Sequence, residues 1–252
     1  MTMWQRAIGV AMVGVIPVMG WAETFAERLL EAYQAVETVS CELRKDIRTP
    51  EGRGRRLSRI YYQFPDRLHV DNAAPLKRRI LADGETLSSY IEGDPKGFRR
   101  PIDRLEEDWL ISLRNVPGSP MEHLFKLRGV PEEVLEPTDR HPRRLGYAAP
   151  TVYVVLELDE MGRIEVISFY PTPAMLTKRA EYRYSGFVEA GEGIWLATRH
   201  DATLWTEGGR VEETTRISNL AVNEPIAASL FIKEPFFKGI DFTDDLAEIY
   251  GR

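Results

Sequence analysis

The sequence predicts a mainly β protein of the α+β class, in which helices cover a broad antiparallel sheet. A two-residue alternation of apolar side chains persists from Thr151 to Asn223 and predicts about five consecutive strands. Shorter stretches of the same alternation occupy residues 39–91. Two helical patterns then interrupt the chain between 104 and 127. Because bare apolar surface of this size is unfavourable in water, we expect these helices to cover the apolar face of the sheet.

The first 22 residues have the pattern of an export signal. Arg6 precedes an apolar run from Ala7 to Met19, and small residues up to Ala22 come before Glu23. The run contains Pro17 and is shorter than the roughly 20 residues of a membrane span. We therefore expect a signal peptide over residues 1–22, cleavage near Ala22 and a periplasmic protein, with an uncleaved anchor as the minority alternative.

Composition limits the classes of function. The chain has 252 residues, of which 43% are hydrophobic, so residues 23–252 are long enough for one domain with a substantial core. Without the leader, 32 basic and 39 acidic residues remain, a net charge of −7, which disfavours general nucleic-acid binding. Cys41 is the only cysteine, which excludes an intramolecular disulfide and any CxxC site, and we expect it to pack as a small apolar residue.

The amino-terminal part predicts one helix and three short strands. Thr24 and Glu27 have the spacing of a capping box, and the helix that follows has a narrow apolar stripe suited to lying across a sheet. Val39, Cys41 and Leu43 then share one side of a strand. After a turn over Pro50–Gly54 the chain returns with Ile60, Tyr62 and Phe64 aligned, and it turns again at Pro65-Asp66 into a strand over 67–71.

A hairpin, two helices and a connection complete the first half. Asp83-Gly84 bends a hairpin over Ile80–Ile91. Helical spacing predicts helices over Arg104–Arg114 and Pro120–Leu127. Residues 131–150 are rich in proline, arginine and turn formers, and we expect a surface connection there.

The long meander and the tail follow. Asp159–Gly162, then Gly191 and Gly193, then Glu207–Gly209 mark turns between strands. Beyond Asn223 the tail contains Phe231, Phe236, Phe237 and Phe242, and we expect it to fold back as an edge strand or a short helix.

One basic segment stands out in this acidic chain. Residues Arg44 to Arg59 include seven basic side chains against Asp46 and Glu51. The simpler interpretation is a solvated strand edge protected by charge. The sharper one is a docking patch for anionic lipid or an acidic partner.

The sequence contains no strong catalytic or metal-binding motif. His69, His123, His141 and His200 are scattered without metal-ligand spacing, and we expect surface polar pairs of His69 with Asp71 and of His200 with its neighbour. No GxSxG elbow and no complete dinucleotide loop occur, and the carboxylate clusters lie in polar runs. The sequence therefore favours a non-enzymatic protein without cofactor or metal.

The order of these features resembles the bacterial lipoprotein carrier superfamily of LolA and LolB. The initial helix leading into Val39–Leu43, the YYQFPDRLHV segment, the ILADGETLSSY hairpin, the GIWLATR strand and the closing ISNLAVNEPIAASLF carry the resemblance over nearly the whole mature chain. It implies an incomplete antiparallel β-barrel, a half-barrel, wrapped around helices, with an apolar cavity for acyl chains. One departure is Phe64, which precedes Pro65 where the carrier has an arginine that holds its helical lid, so no lid role is assigned to Arg67.

The resemblance implies a periplasmic carrier that binds the acyl chains of lipoproteins or lipids and transfers them between the inner and outer membranes. The alternative is an envelope-stress sensor of the same fold that detects lipids or lipoproteins and signals through a protein partner. For a carrier, the expected partners are an inner-membrane release complex and an outer-membrane acceptor, and the expected state is a monomer. The predicted cavity residues are Ile60, Tyr62, Phe64, Trp109, Leu110, Leu113, Val154, Leu156, Ile167, Phe169 and Trp195. For any single one of these, packing in the core is the competing role.

Overall fold

A computed structural model describes residues 23–245 and Glu248 of the chain. The predicted signal peptide lies outside the described residues. The helices are α1 (Phe25–Ala32), α2 (Glu107–Leu113) and α3 (Met121–Leu124). The strands are β1 (Thr38–Thr49), β2 (Gly52–Gln63), β3 (Arg67–Ala74), β4 (Arg78–Asp83), β5 (Thr86–Ile91), β6 (Lys96–Pro101), β7 (Glu132–Leu135), β8 (Arg143–Ala149), β9 (Val152–Leu158), β10 (Ile164–Tyr170), β11 (Ala180–Gly191), β12 (Ile194–Thr206), β13 (Gly209–Val222) and β14 (Asp241–Thr243).

All these strands belong to one open sheet. Its order is β14-β6-β5-β4-β3-β2-β1-β13-β12-β11-β10-β9-β8-β7, so neighbouring strands are also consecutive in sequence, except for the pairs β1 with β13 and β14 with β6. Every pairing is antiparallel apart from β14 with β6. The sheet does not close, and the helices lie against its inner face. This confirms the predicted half-barrel around helices.

Helix α1 begins as its capping box predicts. The Thr24 hydroxyl accepts a hydrogen bond from the Glu27 backbone, and the Glu27 side chain accepts one from the Thr24 backbone. Ala26 and Leu30 are buried against the sheet, and the following turn buries Tyr33, whose hydroxyl donates to the Trp195 carbonyl at 2.8 Å. The helix therefore lies across the sheet, as its narrow apolar stripe predicts.

The meander is confirmed as β9 to β13, with turns where the polar and glycine residues place them. The strands of the first half are also present, but β1 and β2 have 12 residues each and are not short. Thr49 pairs with Gly52, so the turn between them is confined to Pro50 and Glu51. Strand β1 lies between β13 and β2, so the expected strand edge in the basic segment is wrong. These charged side chains are divided between the two faces of the sheet instead, with Lys45 and Arg56 on the inner one.

The expected surface connection over 131–150 is wrong, because strands β7 and β8 form there. Leu145 and Tyr147 are completely buried on the inner face. The Tyr147 hydroxyl donates to Glu132 at 2.5 Å, and the same carboxylate accepts the Phe25 backbone N–H at 2.7 Å. The prolines of this region mark the ends of strands, where a missing donor costs no ladder hydrogen bond.

The carboxyl-terminal tail folds back across the outer face of β3 to β6. Strand β14 pairs with the edge strand β6, as expected for the tail, and Phe231 and Phe237 are buried. The expected surface position of His69 is wrong, because only 1% of it is exposed and its Nδ1 lies 2.8 Å from the Leu230 carbonyl of the tail. The tail, which has no strong sequence signal, thus supplies the cover of this outer face.

None of the helices within the described residues is long and apolar enough to cross a membrane.

The segment that joins α2 to α3 is fixed to strand β12 at Gly118. The Gly118 carbonyl accepts the Ala197 N–H at 2.8 Å, and its φ of +86° is a conformation that favours glycine. An added Cβ would lie 2.8 Å from the Ala197 carbonyl oxygen. The backbone here can approach β12 only because residue 118 has no side chain.

We expect Gly118→Ala to lower the free energy of unfolding by about 2 kcal/mol or more, from backbone strain and the clash with β12. Urea unfolding followed by circular dichroism measures this. Gly129→Ala is the matched control, because φ is also positive there but an added Cβ meets nothing within 4 Å. If both variants lose the same free energy of unfolding, the contact with β12 does not contribute to stability.

Candidate functional site on the inner face of the sheet

The inner face is built in rows that run across neighbouring strands. Residues that face each other across β1 to β5 in the register form the first row, next to the helices. It consists of Val39, Tyr62, Leu68, Ala82 and Leu87. All of these except Leu68 are buried, and all pack in the helix-covered core.

The second row is apolar but less well covered. Cys41 faces Ile60, Ile60 faces Val70, and Val70 faces Ile80. Cys41 is buried, whereas the other three are only half-buried. Burial, with a smaller contribution from Glu42, raises the pKa of the Cys41 thiol to about 12. The thiol is therefore neutral and acts as apolar wall, as its sequence context predicts.

The next rows become polar with distance from the helices. Ile217 faces Leu43, Leu43 faces Ser58, and the Ser58 hydroxyl donates to Asn72 at 2.6 Å. One row further out, Lys45 forms an ion pair with Glu213 at 2.8 Å. The inner face therefore changes from fully apolar to charged over about four rows.

Helix α2 covers the inner face of β3 to β6. Trp109 and Leu110 pack with Leu113 against Ala82 and Leu87 of the sheet, and the Trp109 ring centroid lies 5.6 Å from that of Phe98. Two contacts hold its carboxyl-terminal end in place. Arg114 pairs with Asp66 at 2.8 Å, and its carbonyl accepts the Tyr62 hydroxyl at 3.4 Å.

Helix α3 covers β9 to β12 on the opposite side. His123 is buried there, with its ring centroid 4.1 Å from that of Tyr182 and 5.4 Å from that of Phe169. Burial, followed by the charges of Lys126 and His200, lowers the pKa of His123 to about 3. Its Nε2 lies 3.3 Å from Glu122 but has no hydrogen-bond partner among the described residues. The imidazole is therefore neutral and packs as part of the core.

A strip of the inner face between α2 and α3 is covered by neither helix. Leu43, Ile60 and Val70 lie on this strip, half-buried, and pack in neither of the two helix-covered clusters of the described residues. Ile217 of β13 and Cys41 of β1 extend the strip beside them. We call these five residues the inner trough.

A polar rim borders the inner trough next to α3. Burial raises the pKa of Glu122, an effect that Lys45 and Lys126 oppose and Glu213 reinforces. Burial, followed by the charge of Lys45, lowers the pKa of His200 to about 4, and its ring stacks on Tyr184 at 5.6 Å. The expected surface pair of His200 with Asp201 is wrong, since the imidazole faces the inner side.

The predicted cavity residues divide into groups. Ile60 lies in the inner trough, Trp109 and Leu110 lie half-buried on α2, and Phe169 lies half-buried beneath α3. Trp195 is also half-buried, 5.1 Å from the Arg163 guanidinium, and Phe64 is 36% exposed at the turn after β2. The remaining predicted residues are fully packed in the core, namely Tyr62, Leu113, Val154, Leu156 and Ile167.

Sequence reasoning did not select Leu43, Val70 or Ile217, although the alternation that contains Cys41 and Leu43 is visible in the sequence. The pairing of β1 with β13 joins residues about 180 positions apart, for which no local signal exists. Within the described residues, no group of three His, Cys, Asp or Glu side chains is placed to hold a metal ion.

Solved structures resemble this fold. A LolA superfamily protein from Nitrosomonas europaea matches with a TM-score of 0.53 and 14% identity, over 84% of this chain and 100% of that chain. A Vibrio parahaemolyticus domain described as an outer-membrane lipoprotein-sorting protein matches with a TM-score of 0.53 and 12% identity, over 83% and 98%. A DUF1329 family protein from Desulfovibrio piger matches with a TM-score of 0.56 and 12% identity, over 83% and 95%. No family model and no curated protein matches the chain. The chain therefore has a LolA-like fold.

The buried His123 predicts sensitivity to acid. Its folded pKa of about 3 lies below the unfolded value of about 6.5, so the unfolded chain binds the proton first as the pH falls. The contribution of the neutral imidazole to the free energy of unfolding is fully present above about pH 6.5 and decreases as the pH falls toward 3. By pH 5 this decrease amounts to about 2 kcal/mol. We expect His123→Phe to reduce the fall in unfolding free energy between pH 7 and pH 5 by about that amount.

Chemical denaturation at the two pH values measures the difference. Phe169→Leu is the control, because it perturbs the same packing without removing a titrating group and should lower stability equally at both pH values. A His123→Phe variant with the pH dependence of the wild type would contradict the assignment.

Proposed function

We propose that this protein binds an acyl chain of a lipid or lipoprotein in the inner trough, between α2 and α3, and carries it without catalysing a reaction. The observation that carries this proposal is the half-buried apolar strip of Leu43, Ile60 and Val70, which the helices leave uncovered. Apolar side chains in a concave site favour a hydrocarbon ligand, because contact with it removes both surfaces from water.

The gradient of polarity supports an amphiphilic ligand. Its chain would lie along Ile60 and Cys41, and its polar end would lie toward Lys45 and Glu213. Charged groups at the rim stay half-exposed there and keep most of their solvation. A ligand with one apolar and one polar end therefore matches the site in a single orientation.

The energetics suit a carrier. Each CH₂ group moved out of water contributes about 0.8 kcal/mol, so one chain binds appreciably without specific polar contacts. Such non-directional binding lets a receptor or membrane compete for the chain once α2 moves away from the sheet. Helix α2 has seven residues and is held at its carboxyl-terminal end by Arg114, so it would swing away from the sheet about that end.

The proposal extends to the location and the partners of the protein. The protein would act in the periplasm as a monomer after cleavage near Ala22, with residues 23–252 as one lipid-binding domain. It would receive its ligand from an inner-membrane release complex and deliver it to an outer-membrane acceptor. The similarity to a domain described as a lipoprotein-sorting protein supports this choice of ligand. Trp109 and Leu110 would form the movable wall, and the predicted residues that pack in the core would form the floor.

We expect Ile60→Arg and Leu43→Arg each to weaken binding of a fluorescent fatty acid at least about 10-fold, because a charge would replace apolar wall in the inner trough. Fluorescence titration measures this, and thermal unfolding checks the fold. The control is Leu176→Arg, which introduces the same charge at a side chain that is 90% exposed in a loop.

Unchanged binding in both folded trough variants would contradict the proposed site. Native mass spectrometry of the protein from the periplasm gives a second test. A bound lipid or lipoprotein supports carriage, whereas an empty protein with a stoichiometric protein partner contradicts it and favours the sensor.

A further inference from the structure

The outer face of β11, β12, β13, β1 and β2 concentrates positive charge. The exposed arginines at outward-facing strand positions are Arg44, Arg48, Arg53, Arg55, Arg59, Arg183, Arg199, Arg210 and Arg216. The acidic residues at such positions are Glu42, Asp46, Glu181, Asp201 and Glu212. Nine arginines against five acids leave an excess of four positive charges on this face, although the whole chain has a net charge of −6. We call these nine residues the arginine face.

Three of these arginines stand side by side on neighbouring strands. Arg199 faces Arg216, and Arg216 faces Arg44 in the register. Like charges directly opposite each other destabilise a sheet, so this row has a cost for folding. A row of this kind is better explained by the binding of an anion than by stability.

The acids neutralise the row only in part, because Arg199 pairs with Asp201 at 2.8 Å whereas Arg44 and Arg216 share Asp46 with Arg55. Asp46 lies within 3.4 Å of three guanidinium groups, those of Arg44, Arg55 and Arg216. Hydrogen bonds from Arg55 and then Arg44 lower its pKa, which is the response to an excess of positive charge around it. Asp46 also orders these side chains, so their planar groups are already positioned when a ligand arrives.

The arginine face borders an open groove of about 780 Å³ that crosses the middle of β1 and β2 and the adjoining ends of β3, β4 and β5, and Leu43 of the inner trough is among its lining residues. Arg44 and Arg59 belong to both, and Lys77, Arg78 and Arg79 add cations against Glu42, Asp71 and Glu92. Phe236 and Tyr90 supply aromatic walls. Cations also outnumber acids in this depression.

Two exposed apolar side chains accompany the arginines. Trp205 is 42% exposed at the end of β12, and Leu57 is 39% exposed beside Arg44. Tryptophan next to arginine is the combination found where proteins meet the headgroup region of a bilayer. Guanidinium groups bind phosphate through paired hydrogen bonds, which an ammonium group cannot match.

We propose that the arginine face docks the protein on the surface of an anionic lipid bilayer. A laterally repeated row of guanidinium groups on a broad sheet face fits a two-dimensional array of phosphates. The inner trough opens on the opposite side of the same strands, so docking leaves it accessible. None of the nine arginines belongs to the inner trough, so docking through them does not depend on acyl-chain binding.

Flotation with vesicles tests the proposal, using protein purified from the periplasm of an expressing host. We expect binding to vesicles that contain phosphatidylglycerol with phosphatidylcholine, and little binding to vesicles of phosphatidylcholine alone. The affinity for the anionic vesicles should fall steeply between about 50 and 500 mM salt, because salt screens the attraction between several arginines and the lipid phosphates. The triple variant Arg44→Ser, Arg199→Ser, Arg216→Ser should bind anionic vesicles about 100-fold more weakly.

Two matched variants control for charge and for folding. Arg104→Ser, Arg128→Ser, Arg140→Ser removes three exposed arginines outside the arginine face and should bind within about threefold of the wild type. Arg44→Lys, Arg199→Lys, Arg216→Lys keeps the charge but loses the paired hydrogen bonds to phosphate, so it should bind anionic vesicles more weakly than the wild type and more tightly than the triple serine variant. Fatty-acid binding by the serine variants serves as an independent check that the inner side is intact.

Three results would overturn the proposal. If the wild-type protein does not bind anionic vesicles, the arginine face does not dock on a bilayer. Equal losses of vesicle binding in the two serine variants would show that only the overall charge of the protein matters. Binding to polyglutamate with no binding to vesicles would assign the face to an acidic protein partner instead.

Discussion

The structure depends on one constraint, which is that a single open sheet has more apolar inner surface than its short helices can bury. Helix α2 has seven residues and α3 has four, and together with α1 they cover the two ends of the strand order. Their contacts leave the middle strands β13, β1 and β2 partly uncovered. Because exposed apolar surface is unfavourable in water, this remaining strip would be stabilised by contact with an apolar ligand.

The same strands separate two chemistries by alternation alone. In β1, Cys41 and Leu43 face inward, whereas Arg44 and Asp46 face outward, and the register carries each pattern onto β2 and β13. A shift of one residue would exchange the faces, placing arginines in the apolar trough. The inner trough and the arginine face are therefore the two sides of one strand register.

Much of this fold is predictable from local pattern. The capping box at Thr24 and Glu27, the hairpin at Asp83-Gly84 and the five-stranded meander all form as expected, because each depends on neighbouring residues. Strands β7 and β8 were missed because the flanking prolines resemble a loop. The tail was unpredictable in detail, since Leu230 and Phe236 meet His69 only through tertiary packing. The inner trough required the long-range pairing of β1 with β13, and this is why only Ile60 of its residues was among those predicted.

Photo-crosslinking shows where a bound fatty acid lies on the protein. A photoactivatable fatty acid would be bound, irradiated and located by peptide mass spectrometry. If the inner trough is the binding site, we expect adducts on Leu43, Ile60 and neighbouring inner-face residues of β1 to β3, together with α2. Adducts confined to the outer face or to the exposed loop around Leu176, or none at a saturating concentration of the fatty acid, would contradict it.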